Sequence, residues 1–187
     1  DLTAGAGTAG HGHEGQDQDF AGGIIEPRRA APPLALADAS GTAFDLTTLR
    51  GRPVLVTFVY SSCPDVCPLI MQRLKDVHEI ATRRHMNLGV VAVSVDPEGD
   101  TAASVNSFLR RQRLTGFVRY LIGDRAQLES VWADWGVATT VPADNPELIE
   151  HTALIYGVTS GGELATAYPV EFDPQTIARD LVLLAGT

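Results

Sequence analysis

An α/β fold is predicted for this chain by three observations. Two apolar runs, VLVTFV at 54–59 and LGVVAVSV at 88–95, have the length and β-branched content of strands buried on both faces. Between them Ile70, Leu74, Val77 and Ala81 recur at helical spacing and mark the buried stripe of a helix. Beyond them, residues 151–158 and 163–168 flank Ser160-Gly161-Gly162, which reads as a hairpin.

In chain order, residues 1–23 are rich in Gly, Ala, Asp and Gln with almost no large apolar side chains, so they lack the surface that would offset ordering entropy. They read as a flexible tether, and residues 24–187 as one folded domain. His11 and His13 have a spacing that holds a metal only loosely, and they are read as solvated histidines of the tail. Pro27, Pro32 and Pro33 punctuate the approach to the domain. Residues 34–38 and 42–46 then flank Ala39-Ser40-Gly41 as a second hairpin signature.

The turn Arg50-Gly51-Arg52-Pro53 leads into the strand at 54–59, and the motif Tyr60-Ser61-Ser62-Cys63-Pro64-Asp65-Val66-Cys67-Pro68 follows at its carboxyl end. Strand ends are where sites gather in open α/β sheets. Pro64 has no N–H to donate and Pro68 suits a first helical turn, so a helix begins within or just after the motif and ends near 85–87. Asp100 or Thr101 caps a helix running to about 114. A short strand near 118–121 and a helix at 124–135 follow. Leu128, Val131, Trp132 and Trp135 share one side of that helix, and the two tryptophans read as core. After the loop at 141–146 come the hairpin and a last helix beyond Asp173-Pro174. This order of elements is that of a thioredoxin-like fold with an N-terminal β-hairpin extension and a flexible N-terminal tail.

The 187 residues suffice for one core plus a tail, and a net charge of −9 argues against a nucleic-acid surface. No stretch approaches the roughly 18–20 apolar residues of a membrane helix. Because the sequence starts at Asp1 without a methionine, an upstream signal or anchor is an expectation.

Cys63 and Cys67 are the only cysteines. Residues four apart share a helix face, so both sulfurs can meet one soft metal ion; a disulfide is the other natural use of the pair. A thiolate near a helix amino terminus is favoured by the local dipole.

The runs at 56–68 (VTFVYSSCPDVCP), 93–101 (VSVDPEGDT) and 150–152 (EHT) resemble, in order and content, the Sco/SenC copper proteins that help assemble cytochrome c oxidase. The similarity extends from about Phe20 to the carboxyl terminus. It implies a copper site, for Cu(I) or Cu(II), made by Cys63, Cys67 and His151. Thiolates are soft ligands that favour Cu(I), and imidazole suits copper in either state. It further implies a metallochaperone that passes copper to the binuclear centre of the oxidase. Its partner would be the copper-bearing oxidase subunit or another copper chaperone, outside the cytoplasm, with the full-length protein anchored to a membrane. The alternative is a thiol-disulfide oxidoreductase that uses Cys63 and Cys67 on client cysteines without His151. The three-residue spacing argues against an efficient general oxidoreductase. A plain disulfide staple is the simplest reading of all.

His78 and His85 read as structural or surface residues. Asp96 suits either helix-start chemistry or the copper surroundings, and Tyr60 reads as core; neither is placed in the ligand set. With Lys75 the single lysine, an acidic patch is expected to meet any basic or metal-bearing partner.

Overall fold

The computed structural model describes residues 19–186. The tail through residue 18, including His11 and His13, lies outside the described residues. In chain order the elements are β1 (Gly23–Ala30), β2 (Ala35–Asp38), β3 (Ala43–Asp45), β4 (Val54–Val59), α1 (Val66–Arg83), β5 (Gly89–Ser94), α2 (Ala102–Arg111) and β6 (Val118–Ile122). They continue with α3 (Arg125–Trp135), β7 (Thr139–Thr140), β8 (Glu150–His151), β9 (Leu154–Val158), β10 (Glu163–Pro169) and α4 (Pro174–Ala185).

Every residue of β4 and β5 is buried, as their unbroken apolar sequences require, and the two strands pair in parallel at the middle of the sheet. Strand β6 continues the parallel set on one side of β5, while β9 and β10 add antiparallel strands beyond β4. The order β6-β5-β4-β9-β10, with helices in the connections and after the last strand, is the thioredoxin-like arrangement expected from the sequence. Helix α1 buries Ile70, Met71, Leu74, Val77 and Ala81, which include all four stripe residues. Trp135 of α3 meets the rings of Phe58 and Tyr156 from β4 and β9, which makes it core.

The expected hairpin, β2–β3, extends the sheet at its edge, joined through β2 and β6. Asp38 makes the turn: its Oδ1 accepts from the backbone N–H groups of Ser40 and Thr42, while Gly41, at φ 83°, takes the left-handed conformation that an L side chain disfavours.

Strand β1 forms the opposite edge against β10 and was not legible in the sequence. Nearly all its side chains are exposed, so it carries no apolar alternation. Its pairing is irregular between Ile24 and Arg29, the stretch holding Pro27, which has no N–H for the ladder. Just before it, in the compositionally defined tail, Phe20 is buried and the Ala21 N–H donates to Asp180 Oδ2 at 2.7 Å. Tyr168 Oη donates to the same oxygen at 2.9 Å. Asp180→Ala is therefore expected to leave two donors unsatisfied at about 1–3 kcal/mol each. The check is chemical denaturation together with proteolysis near residues 19–22; an unchanged midpoint and cleavage pattern would show that this carboxylate anchors nothing.

Candidate metal centre

The site forms where β4 gives way to α1. A turn closes with the Cys63 N–H donating to Tyr60 C=O at 3.3 Å, and Asp65 stands at the N-cap of α1 without a side-chain capping bond. The sulfur of Cys63 takes that role, accepting the Cys67 N–H at 3.5 Å. Helix N-termini leave backbone donors unpaired and favour negative charge, so a thiolate is suited to this position. Cys63 is held down to about 5, chiefly because the Cys67 thiol donates to it, with the backbone N–H groups of Asp65 and Cys67 and the Tyr60 hydroxyl adding to the effect against its burial. The proton of the pair stays on Cys67, whose ionisation is pushed up by that same bond and by deep burial.

These shifts predict one thiolate per reduced chain between about pH 5 and pH 9, lost as the pH falls through about 5, because the Cys63 value is depressed in the folded protein. Ultraviolet thiolate absorbance of the metal-free reduced protein checks this. Two thiols titrating together near the ordinary cysteine value would contradict it.

His151 comes to the cysteines from a different element than its sequence suggests. The expected strand at 151–158 is split: His151 lies in β8, paired with Thr139 of β7, and β9 starts only at Leu154. The ribbon is secured by Thr152 N–H to Ala138 C=O at 3.0 Å and Ala138 N–H to Thr152 Oγ1 at 3.1 Å. The approach is also tied to the cysteine loop, because Ile149 N–H donates to the Tyr60 hydroxyl at 3.2 Å and the Tyr60 ring meets His151 edge-on at 6.0 Å. Tyr60 is core, as expected, and also a bridge between the two halves of the site. Its hydroxyl is pushed up to about 12 by burial and so stays protonated.

The imidazole has a defined tautomer. Its Nδ1 lies 3.0 Å from Thr152 C=O, which can only accept, so Nδ1 carries the proton. Burial lowers its pKa and keeps the ring neutral, leaving the Nε2 lone pair free. That atom lies 3.7 Å from Cys67 Sγ. Metal bonds of about 2.3 Å to sulfur and about 2.0 Å to nitrogen, at tetrahedral to trigonal angles, place the two donors about 3.5–3.7 Å apart. The sulfur–nitrogen edge therefore already has the span of a shared ion. No group of three or more His, Cys, Asp and Glu side chains among the described residues is preassembled to hold a metal. Cys63, Cys67 and His151 are neighbours, and the proton that Cys67 gives to Cys63 must leave for a three-donor shell to close.

Other residues singled out in the sequence lie elsewhere. His78 stacks on Phe117 at 4.3 Å between ring centroids, away from the cysteines, and His85 follows the end of α1 with a positive φ. Asp96 closes the turn after β5 by accepting from Gly99 N–H at 2.8 Å, and Thr101 caps α2. Asp100, the other cap candidate, is instead buried beneath the cysteine loop. Nothing in the local sequence separates a buried carboxylate from a cap at that position.

A family model described as SCO1/SenC matches residues 23–186. The chain belongs to the SCO1/SenC family. A Stutzerimonas stutzeri protein named as copper-binding is 30% identical over 153 residues, covering 81% of this chain and 71% of its own length. A SCO2-like protein of Rickettsia prowazekii is 26% identical over 149 residues, covering 78% and 72%. The solved structure of Bradyrhizobium japonicum ScoI with copper bound superposes with a TM-score of 0.72 at 29% identity, covering 82% of this chain and 98% of that one. Among the described residues, no helix of this SCO1/SenC protein is long and apolar enough to cross a membrane.

Proposed function

We propose that this chain is a copper carrier in which Cys63, Cys67 and His151 hold one copper ion as cargo and release it to the binuclear copper centre of cytochrome c oxidase during assembly. The observation that carries the reading is the neutral His151 with Nε2 facing Cys67 Sγ at 3.7 Å, beside a Cys63 thiolate in the loop that leads into α1. Two thiolates suit Cu(I), and the added imidazole lets the site keep Cu(II). The copper bound in ScoI and the naming of the Stutzerimonas relative support the cargo.

Release follows from where the donors sit. Ser62, Pro64 and Asp65 are exposed around the buried Cys63, so an incoming donor can approach from the loop side, and His151 sits on a short ribbon rather than in the central sheet. Ligands can then be exchanged one at a time. The partner is the copper-bearing oxidase subunit or a second copper chaperone, met outside the cytoplasm by a full-length protein held at a membrane. Mixing the copper-loaded chain with a copper-free oxidase subunit tests this reading. Appearance of the visible absorption of the binuclear centre, matched by loss of copper from the chain, is expected. Copper retained on the chain in the presence of a competent acceptor would contradict it.

A second reading draws on the split between the two thiols. The Cys63 thiolate would attack a client disulfide, forming a mixed disulfide and releasing one client thiolate. Cys67 would then lose its proton and attack Cys63, releasing the second client thiol, so that the client gains the two electrons that the pair loses. His151 has no part in those steps, so a client-reduction assay that is insensitive to His151→Ala separates this activity from copper carriage.

A further inference from the structure

Asp100 is a carboxylate that neither the proposed ligand set nor any helix cap uses. It is 5% exposed, and both its oxygens are engaged. Oδ1 accepts the backbone N–H of Ser61 at 2.9 Å, and Oδ2 accepts the hydroxyls of Ser94 and Tyr120, each at 2.7 Å. These donors come from the cysteine loop, the end of β5 and the middle of β6. The two hydroxyls are fixed in turn: Ser94 Oγ accepts the Asp96 N–H at 3.0 Å, and Tyr120 is buried against Phe108. On the sheet side the carboxylate is thus clamped, and on the loop side it holds Ser61, through the backbone N–H and the side chain.

The other bonds of that loop run to the start of α1, where Cys63 Sγ accepts the Cys67 N–H, and to the His151 ribbon, where the Tyr60 hydroxyl accepts the Ile149 N–H. Inside the loop the Cys63 N–H bonds back to Tyr60 C=O, and Ser62, Pro64 and Asp65 are exposed. The Ser61–Asp100 bond ties the turn to the sheet, two residues before the first sulfur. We propose that Asp100 is the positioning residue of the cysteine loop: by holding Ser61 it delivers Cys63 Sγ to the amino terminus of α1, beside Cys67. The inference rests on the copper-carrier reading of the same site, but its geometry also governs how readily the metal-free pair closes to a disulfide.

The test compares variants that cut the tie with variants that leave it. Asp100→Ala removes all of these bonds. Ser61→Pro removes the loop's backbone and side-chain donors and leaves the bonds from Ser94 and Tyr120, at the second position of a turn, where proline is favoured. Both are expected to weaken Cu(I) binding about 10-fold or more, the scale for outer partners of metal ligands, to alter the thiolate-to-Cu(II) absorption, and to shift the Cys63–Cys67 disulfide equilibrium of metal-free protein against a glutathione couple. Asp100→Asn keeps an acceptor for Ser61 and is expected to retain wild-type values. Tyr120→Phe lowers stability but leaves the tie, and is expected to leave spectrum and disulfide equilibrium unchanged.

Wild-type copper affinity and disulfide equilibrium in Ser61→Pro would overturn the proposal, and so would a Tyr120→Phe shift equal to that of Asp100→Ala, since the effect would then track stability alone. Because the disulfide equilibrium is read without metal, a wild-type chain that binds no copper would sink the carrier reading and still leave Asp100 decided.

Discussion

His151→Ala is expected to weaken Cu(II) binding by at least about 100-fold while the domain stays folded, because removing a ligand should exceed the 10–100-fold cost of removing the groups that orient one. The ring is held from one side, Nδ1 to Thr152 C=O at 3.0 Å, so that Nε2 is free to face Cys67, and among the described residues no other histidine stands near enough to substitute. The structural cost is small: a half-buried side chain on a two-residue strand loses one hydrogen bond and an edge contact with Tyr60, about 1 kcal/mol. Cu(I) should suffer less than Cu(II), since two thiolates remain. Visible absorption of the Cu(II) form and chelator competition for Cu(I) measure both. Unchanged Cu(II) binding would remove His151 from the ligand set.

Cys63→Ser separates folding from metal binding more sharply. The sulfur of Cys63 caps α1 by accepting the Cys67 N–H, a role that a serine hydroxyl fills at least as well. Unfolding stability should therefore hold or rise slightly. Copper binding should not, because a neutral hydroxyl is a poor ligand for a soft ion, and Cu(I) affinity is expected to fall at least about 100-fold with loss of the thiolate-to-copper absorption. Loss of stability in step with loss of copper would mean that Cys63 matters mainly to the fold. In a client-reduction assay the same variant is inactive as well, so only the comparison with His151→Ala distinguishes carriage from reduction.

The sequence carried the central features of this molecule because they rest on short-range patterns. Strands β4 and β5 are buried on both faces and read as continuous apolar runs, and α1 announces its buried stripe every three to four residues. Cys63 and Cys67 are close by virtue of their spacing. What stayed hidden depends on contacts far apart in the chain. Strand β1 is exposed and stabilised by hydrogen bonds to β10, which no residue pattern encodes. The sequence places His151 at the start of the strand that holds β9, whereas pairing with Thr139 detaches it into a ribbon of its own. Asp100 reads as a cap in the sequence because caps and buried acceptors share the same chemistry, and only the fold brings Ser61, Ser94 and Tyr120 to it.

In the carrier reading Cys63, Cys67 and His151 bind one ion together. An anaerobic titration of the fully reduced chain with copper, Cu(I) in competition with a chelator and Cu(II) followed by thiolate-to-copper absorption, tests it most directly. One tightly held copper per chain is expected, with Cu(I) binding weakened by Cys63→Ser and Cu(II) binding lost with His151→Ala. Absence of tight binding in either oxidation state, accompanied by rapid disulfide exchange at Cys63, would contradict it.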